Sequence, residues 1–184
     1  MGLAGGIACG KTTVCNLLRE WGFEVISLSD FVADSMVRLP TATVRADYFD
    51  AANSMREALG DAILAEKAIA EILDLGIAQF VVDGIRRVEE VHALRTAFDD
   101  FLLVGVRASL EERLRRIALR GRDIDPTERD AALRLIMREE DDGEHGCQLR
   151  AVMALCDSWI NGDLPVAHLK SEIPSLLQLS SDPR

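Results

Sequence analysis

Eight residues near the start of the chain, Gly5-Gly6-Ile7-Ala8-Cys9-Gly10-Lys11-Thr12, follow the spacing GxxxxGK[ST], and that spacing serves one kind of chemistry, the cradling of a polyphosphate. The glycines let successive backbone N–H groups converge on phosphate oxygens. Lys11 reaches the β- and γ-phosphates, and Thr12 can set its hydroxyl on magnesium. A short apolar run precedes the loop and an amphipathic helical pattern follows it, so the positive end of a helix dipole joins the cradle. Gly5, Gly6, Ile7, Ala8, Cys9, Gly10, Lys11, Thr12 and Thr13 are therefore assigned to the nucleotide, with Cys9 as a small filler of the loop. The expected ligand is a purine nucleoside triphosphate, ATP, with Mg²⁺. No NKxD motif that would read guanine is present, which disfavours a hydrolysing switch.

Three further groups bear on what happens to the phosphate. Val81-Val82-Asp83-Gly84-Ile85-Arg86-Arg87 places an acid at the carboxyl end of a buried strand, where open α/β sheets hold ligands. Asp83 could orient magnesium through water, and Arg86 or Arg87 could grip a transferring or accepting phosphate; a helix cap and two surface arginines are the structural alternative. Ser27-Leu28-Ser29-Asp30 ends the second strand, so Asp30 is placed to position an acceptor or take its proton, or to cap a helix. Arg113, Arg116 and Arg120 share a helix face by three- and four-residue spacing, followed by Gly121-Arg122-Asp123, and could close over a triphosphate. Asn53 and Arg56 are candidates to grip the acceptor, against roles in core or surface.

The bulk properties agree with a small-molecule enzyme. Formal net charge is −10, which argues against broad contact with nucleic acid. Arg107, Arg113, Arg115, Arg116, Arg120, Arg122, Arg129, Arg134 and Arg138 nevertheless lie in one stretch against six acidic residues, as small phosphorylated ligands would require, although ion pairs along solvated helices produce the same pattern. There is no apolar run near the roughly 18 residues of a membrane span, no leader-like start and no CxxC pair among Cys9, Cys15, Cys147 and Cys156; a reduced cytoplasmic setting is expected. His92, His145 and His168 have no metal-ligand spacing.

The elements that must hold these groups alternate along the whole chain. Strand-like runs occur at 2–4, 23–27, 79–82, 101–106 and 158–160, and helical patterns at 12–21, 29–38, 44–75 with a break at Gly60, 88–98, 110–119, 127–140 and 164–177. Ser29 and Asp30 can open the second helix, and Ser109 with Glu112 reads as a capping box. A chain of 184 residues is expected to form one domain, a parallel sheet covered by helices on both faces, with a first strand that is short for a central one.

With these residues in view, the chain resembles the dephospho-CoA kinase and nucleoside monophosphate kinase branch of the phosphate-loop (Walker A) proteins, in particular the archaeal proteins described as dephospho-CoA kinase-like or nucleotide kinase-related. The opening from Gly2 to Val14, Ser27-Leu28-Ser29-Asp30, the Asn53/Arg56/Gly60/Leu64-Ala65-Glu66 pattern, Asp83-Gly84-Ile85-Arg86, Arg120-Gly121-Arg122 and Asp157 to Asn161 carry the likeness. It implies a three-layer P-loop NTPase fold with a five-stranded parallel sheet, an acceptor-binding region near residues 30–75 and a helical lid near 113–140. It also implies that Asp30 positions the acceptor, that Arg116 and Arg120 are lid arginines, and that Asn161 with Gly162 lies against the nucleotide base. The adenylate-type pattern Asp-Gly-x-x-Arg would select Arg87 and the archaeal likeness selects Arg86, so both stay candidates. The activity implied is ATP-dependent transfer of the γ-phosphate to a nucleoside or deoxynucleoside monophosphate, with Lys11, Asp30, Arg86, Arg116 and Arg120 as its machinery. Dephospho-CoA as acceptor, and a nucleotide-binding regulatory ATPase without transfer, are the alternatives.

Overall fold

The computed structural model describes residues 1–36, 45–120, 126, 128–140 and 147–181. Five strands, β1 (Gly2–Ala4), β2 (Glu24–Ser27), β3 (Phe80–Ile85), β4 (Leu103–Arg107) and β5 (Ser158–Asn161), form one sheet in the order β2-β3-β1-β4-β5. Every pairing is parallel. Helices α1 (Lys11–Glu20), α2 (Leu28–Met36), α3 (Arg45–Leu59), α4 (Ile63–Asp74), α5 (Val88–Ala97), α6 (Leu110–Arg120), α7 (Arg129–Glu140), α8 (Leu149–Ala154) and α9 (Val166–Ser181) fill the connections.

A strand covered on both faces must be apolar on both, and successive side chains point to opposite sides. Leu3, Val81 and Val104 accordingly join one buried cluster with Val14, Leu17 and Leu18 of α1 and Leu169, Ile173 and Leu176 of α9. Their neighbours Ala4, Val82 and Leu103 join the opposite cluster with Leu28 and Val32 of α2, Leu64 and Ile72 of α4, and Val91 and Leu94 of α5. A third, smaller cluster packs Ile7 of the glycine loop against Leu114 and Ile117 of α6 and Ala132 and Ile136 of α7.

The strand order decides where a ligand can sit. From β1 the chain enters α1 on one face of the sheet, whereas from the adjacent β3 it enters α5 on the other face. The two connections diverge and open a crevice at the carboxyl ends of β1 and β3. The glycine loop follows β1 and the Asp83-Gly84 pair ends β3, so the crevice brings them together. Leu3 pairs with Asp83 but Ala4 pairs with Ile85, which leaves Gly84 as an extra residue at φ 89°, a left-handed conformation that glycine adopts without Cβ strain.

Some expectations needed correction. The six-residue helix α8 was not anticipated, because the segment is too short to show a period. The expected break at Gly60 is present, and the 44–75 pattern is two helices, α3 and α4. Helix α9 runs through Pro174 and on to Ser181, past the expected end at 177. The capping box at α6 is only half formed: the Glu112 N–H donates to Ser109 Oγ at 3.4 Å, but the Glu112 carboxylate turns to Arg115 and Arg116, and the Ser109 N–H donates to Asp163. The segments 37–44 and 121–125, with Arg38, Gly121, Arg122 and Asp123, lie outside the described residues, as does His145. Among the described residues no helix is long and apolar enough to cross a membrane.

Burial of Leu18 between α1, α9 and the sheet is complete, while Leu119 is exposed. Leu18→Ala is expected to cost about 2–5 kcal/mol in a urea titration, and Leu119→Ala less than about 0.5 kcal/mol; equal effects would contradict this packing.

Candidate active site

The loop between β1 and α1 turns through positive φ at Gly5, Ala8 and Gly10. Ala8 adopts φ 59°, uncommon for a residue with a Cβ and frequent where backbone N–H groups form an anion nest. Lys11, the first residue of α1, folds its ammonium back over the loop and donates to the carbonyls of Gly5 (2.6 Å) and Gly6 (3.0 Å). Thr12 is exposed in the first turn of the same helix and Thr13 is half-buried. Gly162, after β5, touches the back of the loop: a Cβ built there would stand 2.0 Å from the Cys9 carbonyl oxygen, so a larger residue cannot fit without moving backbone. Asn161 beside it is exposed, and its side-chain oxygen accepts the N–H of Asp163 at 3.0 Å.

A cavity of about 190 Å³ opens from this loop. Its wall includes Ile7 to Thr12, Leu28, Ser29, Val32, Tyr48, Phe49, Arg56, Leu64, Asp83, Gly84, Arg86 and Arg120. Loop residues and those expected to meet an acceptor thus share one space. Asp83 Oδ1 is buried there and has no hydrogen-bond partner among the described residues. An orphaned carboxylate oxygen beside a polyphosphate cradle suits a hydrated magnesium ion, which takes few protein ligands and keeps its waters, and the Thr12 hydroxyl suits the same ion. Among the described residues no cluster of three or more His, Cys, Asp or Glu forms a metal cage.

Arg86 and Arg87 point to different places. Arg86 lines the cavity, and its guanidinium hydrogen-bonds the carboxylate of Glu139 and lies 5.6 Å from the ring centroid of Phe49. Arg87 is buried away from the cavity wall, 3.8 Å from Asp61. Of the two, only Arg86 lines the cavity. Arg56 is also buried; it donates to Glu90 at 2.8 Å and to Asn53 at 3.5 Å, and its Nε has no partner. Glu90, wholly buried, accepts in addition the N–H groups of Arg86 (2.8 Å) and Arg87 (3.1 Å), which fixes the turn after β3.

The arginines of α6 divide in the same way. Arg113 is buried and committed to protein: its Nε donates to the Ile7 carbonyl at 2.8 Å and its guanidinium pairs with Glu140 and, at 3.6 Å, with Glu139. The expectation that Arg113 closes over a triphosphate with Arg116 and Arg120 is thereby corrected; it braces the loop from behind. Arg116 ties three elements, donating to Glu112 (2.8 Å), Ala8 O (3.2 Å) and Gly162 O (2.6 Å). Only Arg120 of the three is on the cavity wall. Asp30 is exposed in the first turn of α2 and does not reach that wall, although Ser29 does. Burial, then the nearby Asp34 and Asp83, push the Asp30 carboxyl above its usual range against the pull of Arg19.

Glu139, Glu90, Tyr48 and Phe49 escaped the sequence reading. Glu90 stands three residues after Arg87 at the start of a helix, the position from which an acid reaches back to the N-cap, so a signal existed. Tyr48, the single tyrosine of an aromatic-poor chain, was another. Glu139 gave none: it lies in Arg138-Glu139-Glu140, a charge run of the kind that usually coats a solvated face, yet its carboxylate is fully buried. It accepts the Ile7 N–H and the Arg86 guanidinium. Burial alone would raise its pKa, but Arg86, Lys11 and the Ile7 amide outweigh that and hold the carboxyl below the ordinary range.

Fold and site together define a phosphate-loop NTPase domain of kinase-like architecture. A family model described as an AAA domain matches residues 1–140. A UPF0200 protein of Methanoculleus marisnigri is 28% identical over 177 residues, covering 96% of this chain and 94% of its own, and one of Methanothrix thermoacetophila is 30% identical over 128 residues, 68% of each chain. The chain therefore belongs to the family of that AAA-domain model and to the UPF0200 proteins. A solved shikimate kinase from Bacteroides thetaiotaomicron superposes with a TM-score of 0.61, covering 96% of this chain and 97% of that one, and at 14% identity it shows likeness of fold alone.

Because a Cβ at position 162 must collide with loop backbone, Gly162→Ala is expected to cost about 1–3 kcal/mol of stability, measured by chemical denaturation. Calorimetry should show weaker binding of Mg·ATP in the same variant; wild-type values for both would refute the contact.

Proposed function

We propose that this protein is an ATP-dependent small-molecule kinase that moves the γ-phosphate to a nucleoside or deoxynucleoside monophosphate. One observation carries the reading: the amides and ammonium of the phosphate loop and the guanidinium groups of Arg56 and Arg86 line a single cavity, with Tyr48 and Phe49 on its wall. A protein that only bound or hydrolysed the triphosphate would not need that second cationic site. The kinase-like neighbours in fold support the same reading.

In the proposed reaction the loop amides and Lys11 hold the triphosphate tail, and Arg120 meets charge that develops on the transferring group. Magnesium, when bound between Thr12 and Asp83, would neutralise phosphate charge. Arg86 and Arg56 would hold the acceptor phosphate in line with the terminal phosphorus, so that the P–O bond to the leaving ADP breaks as the bond to the acceptor oxygen forms. A monophosphate acceptor oxygen is already ionised and requires no strong base. Helix α6 would act as the lid, fastened to Ile7 through Arg113, and the stretch from α2 to α4 as the acceptor region. Arg116, bound to Ala8 and Gly162, would set the wall against which the base lies, with Asn161.

Dephospho-CoA remains the second acceptor to test, because its hydroxyl needs a proton acceptor and the raised pKa of Asp30 is of the right kind. Incubation with Mg·ATP and a panel of ribo- and deoxyribonucleoside monophosphates and dephospho-CoA should yield a diphosphate or phosphorylated product from one of them. Failure of the whole panel would refute the proposal. With the active acceptor, Lys11→Ala and Arg86→Ala should each lose about 100-fold or more in kcat/KM, while Arg87→Ala should keep turnover despite lower stability.

Asp30→Asn should separate stability from catalysis. The raised pKa of Asp30 means that its ionised form opposes folding above the ordinary carboxylate range, so removing the charge should raise Tm at pH 7 and leave Tm nearly unchanged at pH 3, where the wild-type group is protonated. If Asp30 positions the acceptor, kcat should fall at least tenfold in the more stable variant; a fall in Tm at pH 7 would contradict the electrostatics described above.

A further inference from the structure

The buried carboxylate of Glu139 occupies a place that a phosphate would suit better. Its two oxygens take donors from two different sites: one accepts the backbone N–H of Ile7 in the phosphate loop, the other accepts the guanidinium of Arg86 on the acceptor side. Lys11 adds its field and Arg113 stands 3.6 Å away. Amide, ammonium and guanidinium are the set with which proteins bind phosphate oxygens. The cavity left beside them is about 190 Å³, below the roughly 300 Å³ at which ligand pockets begin. A phosphate entering that space would compete with the Glu139 carboxylate for the Ile7 N–H and the Arg86 guanidinium.

We propose that Glu139 is an internal phosphate surrogate, a latch that ties α7 to the phosphate loop and to Arg86 and is displaced when the triphosphate binds. This rests on the nucleotide-binding reading above and adds a regulatory contact to it. A triphosphate carries several negative charges against one on the carboxylate, so it can win the same donors. Once Glu139 leaves the Ile7 amide, its hold on Arg86 is released as well, and arrival at one half-site prepares the other. By the same linkage, an acceptor phosphate that captured Arg86 would loosen the loop for ATP.

Glu139→Gln tests the latch. A glutamine of the same shape offers one acceptor oxygen, and its NH₂ would face either the Ile7 N–H or the Arg86 guanidinium, donor against donor. Isothermal titration with Mg·ATP should show the variant binding about tenfold or more tightly than wild type. In wild-type protein, saturating Mg·ATP should speed hydrogen exchange across Arg129–Glu140 while slowing it at residues 5–12, a readout that does not depend on any variant folding. Equal or weaker binding by folded Glu139→Gln, or exchange in α7 that stays the same or slows, would overturn the latch and leave nucleotide binding standing. Absence of binding by wild type and variant alike would overturn both.

Discussion

The loop at residues 5–12 carries backbone N–H groups beside the start of α1, and an arrangement of that kind favours an anion. Each buried donor left unpaired costs about 1–3 kcal/mol, and the end of α1 adds its own positive potential. One N–H of the loop, that of Ile7, finds an anion within the chain itself. Lys11 turns its charge onto loop carbonyls, and Glu139 supplies a carboxylate to the Ile7 amide. Much of the remaining architecture follows from where that carboxylate comes from, since α7 must lie over the loop, and the small apolar cluster of Ile7, Leu114, Ile117, Ala132 and Ile136 holds it there.

The sheet provides the rigid reference. β1 is three residues long but sits at the centre of the order β2-β3-β1-β4-β5, paired on both sides. A short strand is sufficient there because its neighbours fix both its edges. The same pairing carries the irregularity at Gly84, so the strand that delivers Asp83 ends in a turn rather than running past the loop. Glu90 then gathers the N–H groups of Arg86 and Arg87 on one oxygen and Arg56 on the other. A single buried carboxylate orients the strand end, the start of α5 and a guanidinium on α3.

Local patterns made the fold readable. β-branched runs and helical periodicity located all five strands and eight of the nine helices of the described residues, because burial on both faces imposes those patterns directly. The glycine loop was legible for a different reason: its geometry depends on residue types at fixed offsets. The arginines were harder. Arg113, Arg116 and Arg120 look equivalent by spacing, yet one braces the loop from behind, one clamps Ala8 to Gly162 and one lines the cavity. Three- and four-residue steps put them on one side of α6, but a stripe wide enough for three long side chains spans several environments, and spacing does not say which. Arg86 and Arg87 are adjacent and could be told apart only by the turn that sends one into the crevice and the other toward Asp61. Glu139 was invisible because its partners are 53 and 132 residues away.

The two buried guanidinium–carboxylate pairs of the acceptor side differ in a way that matters for function. Buried pairs contribute little net stability, since desolvation offsets attraction, so position is what they supply. Glu90 lies in the first turn of α5 and is held by two backbone N–H groups besides Arg56; it cannot leave without undoing the turn after β3. Arg56 is accordingly a fixed fixture with an unpartnered Nε beside the cavity. Glu139 lies near the end of α7, which is seated over the loop by the small apolar cluster around Ile7 and by ion pairs of Glu139 and Glu140 with Arg113. Its pair with Arg86 is the one that can open. A second phosphate would thus meet one guanidinium already set in place and another freed when the first phosphate arrives, and that order ties acceptor binding to the presence of the donor.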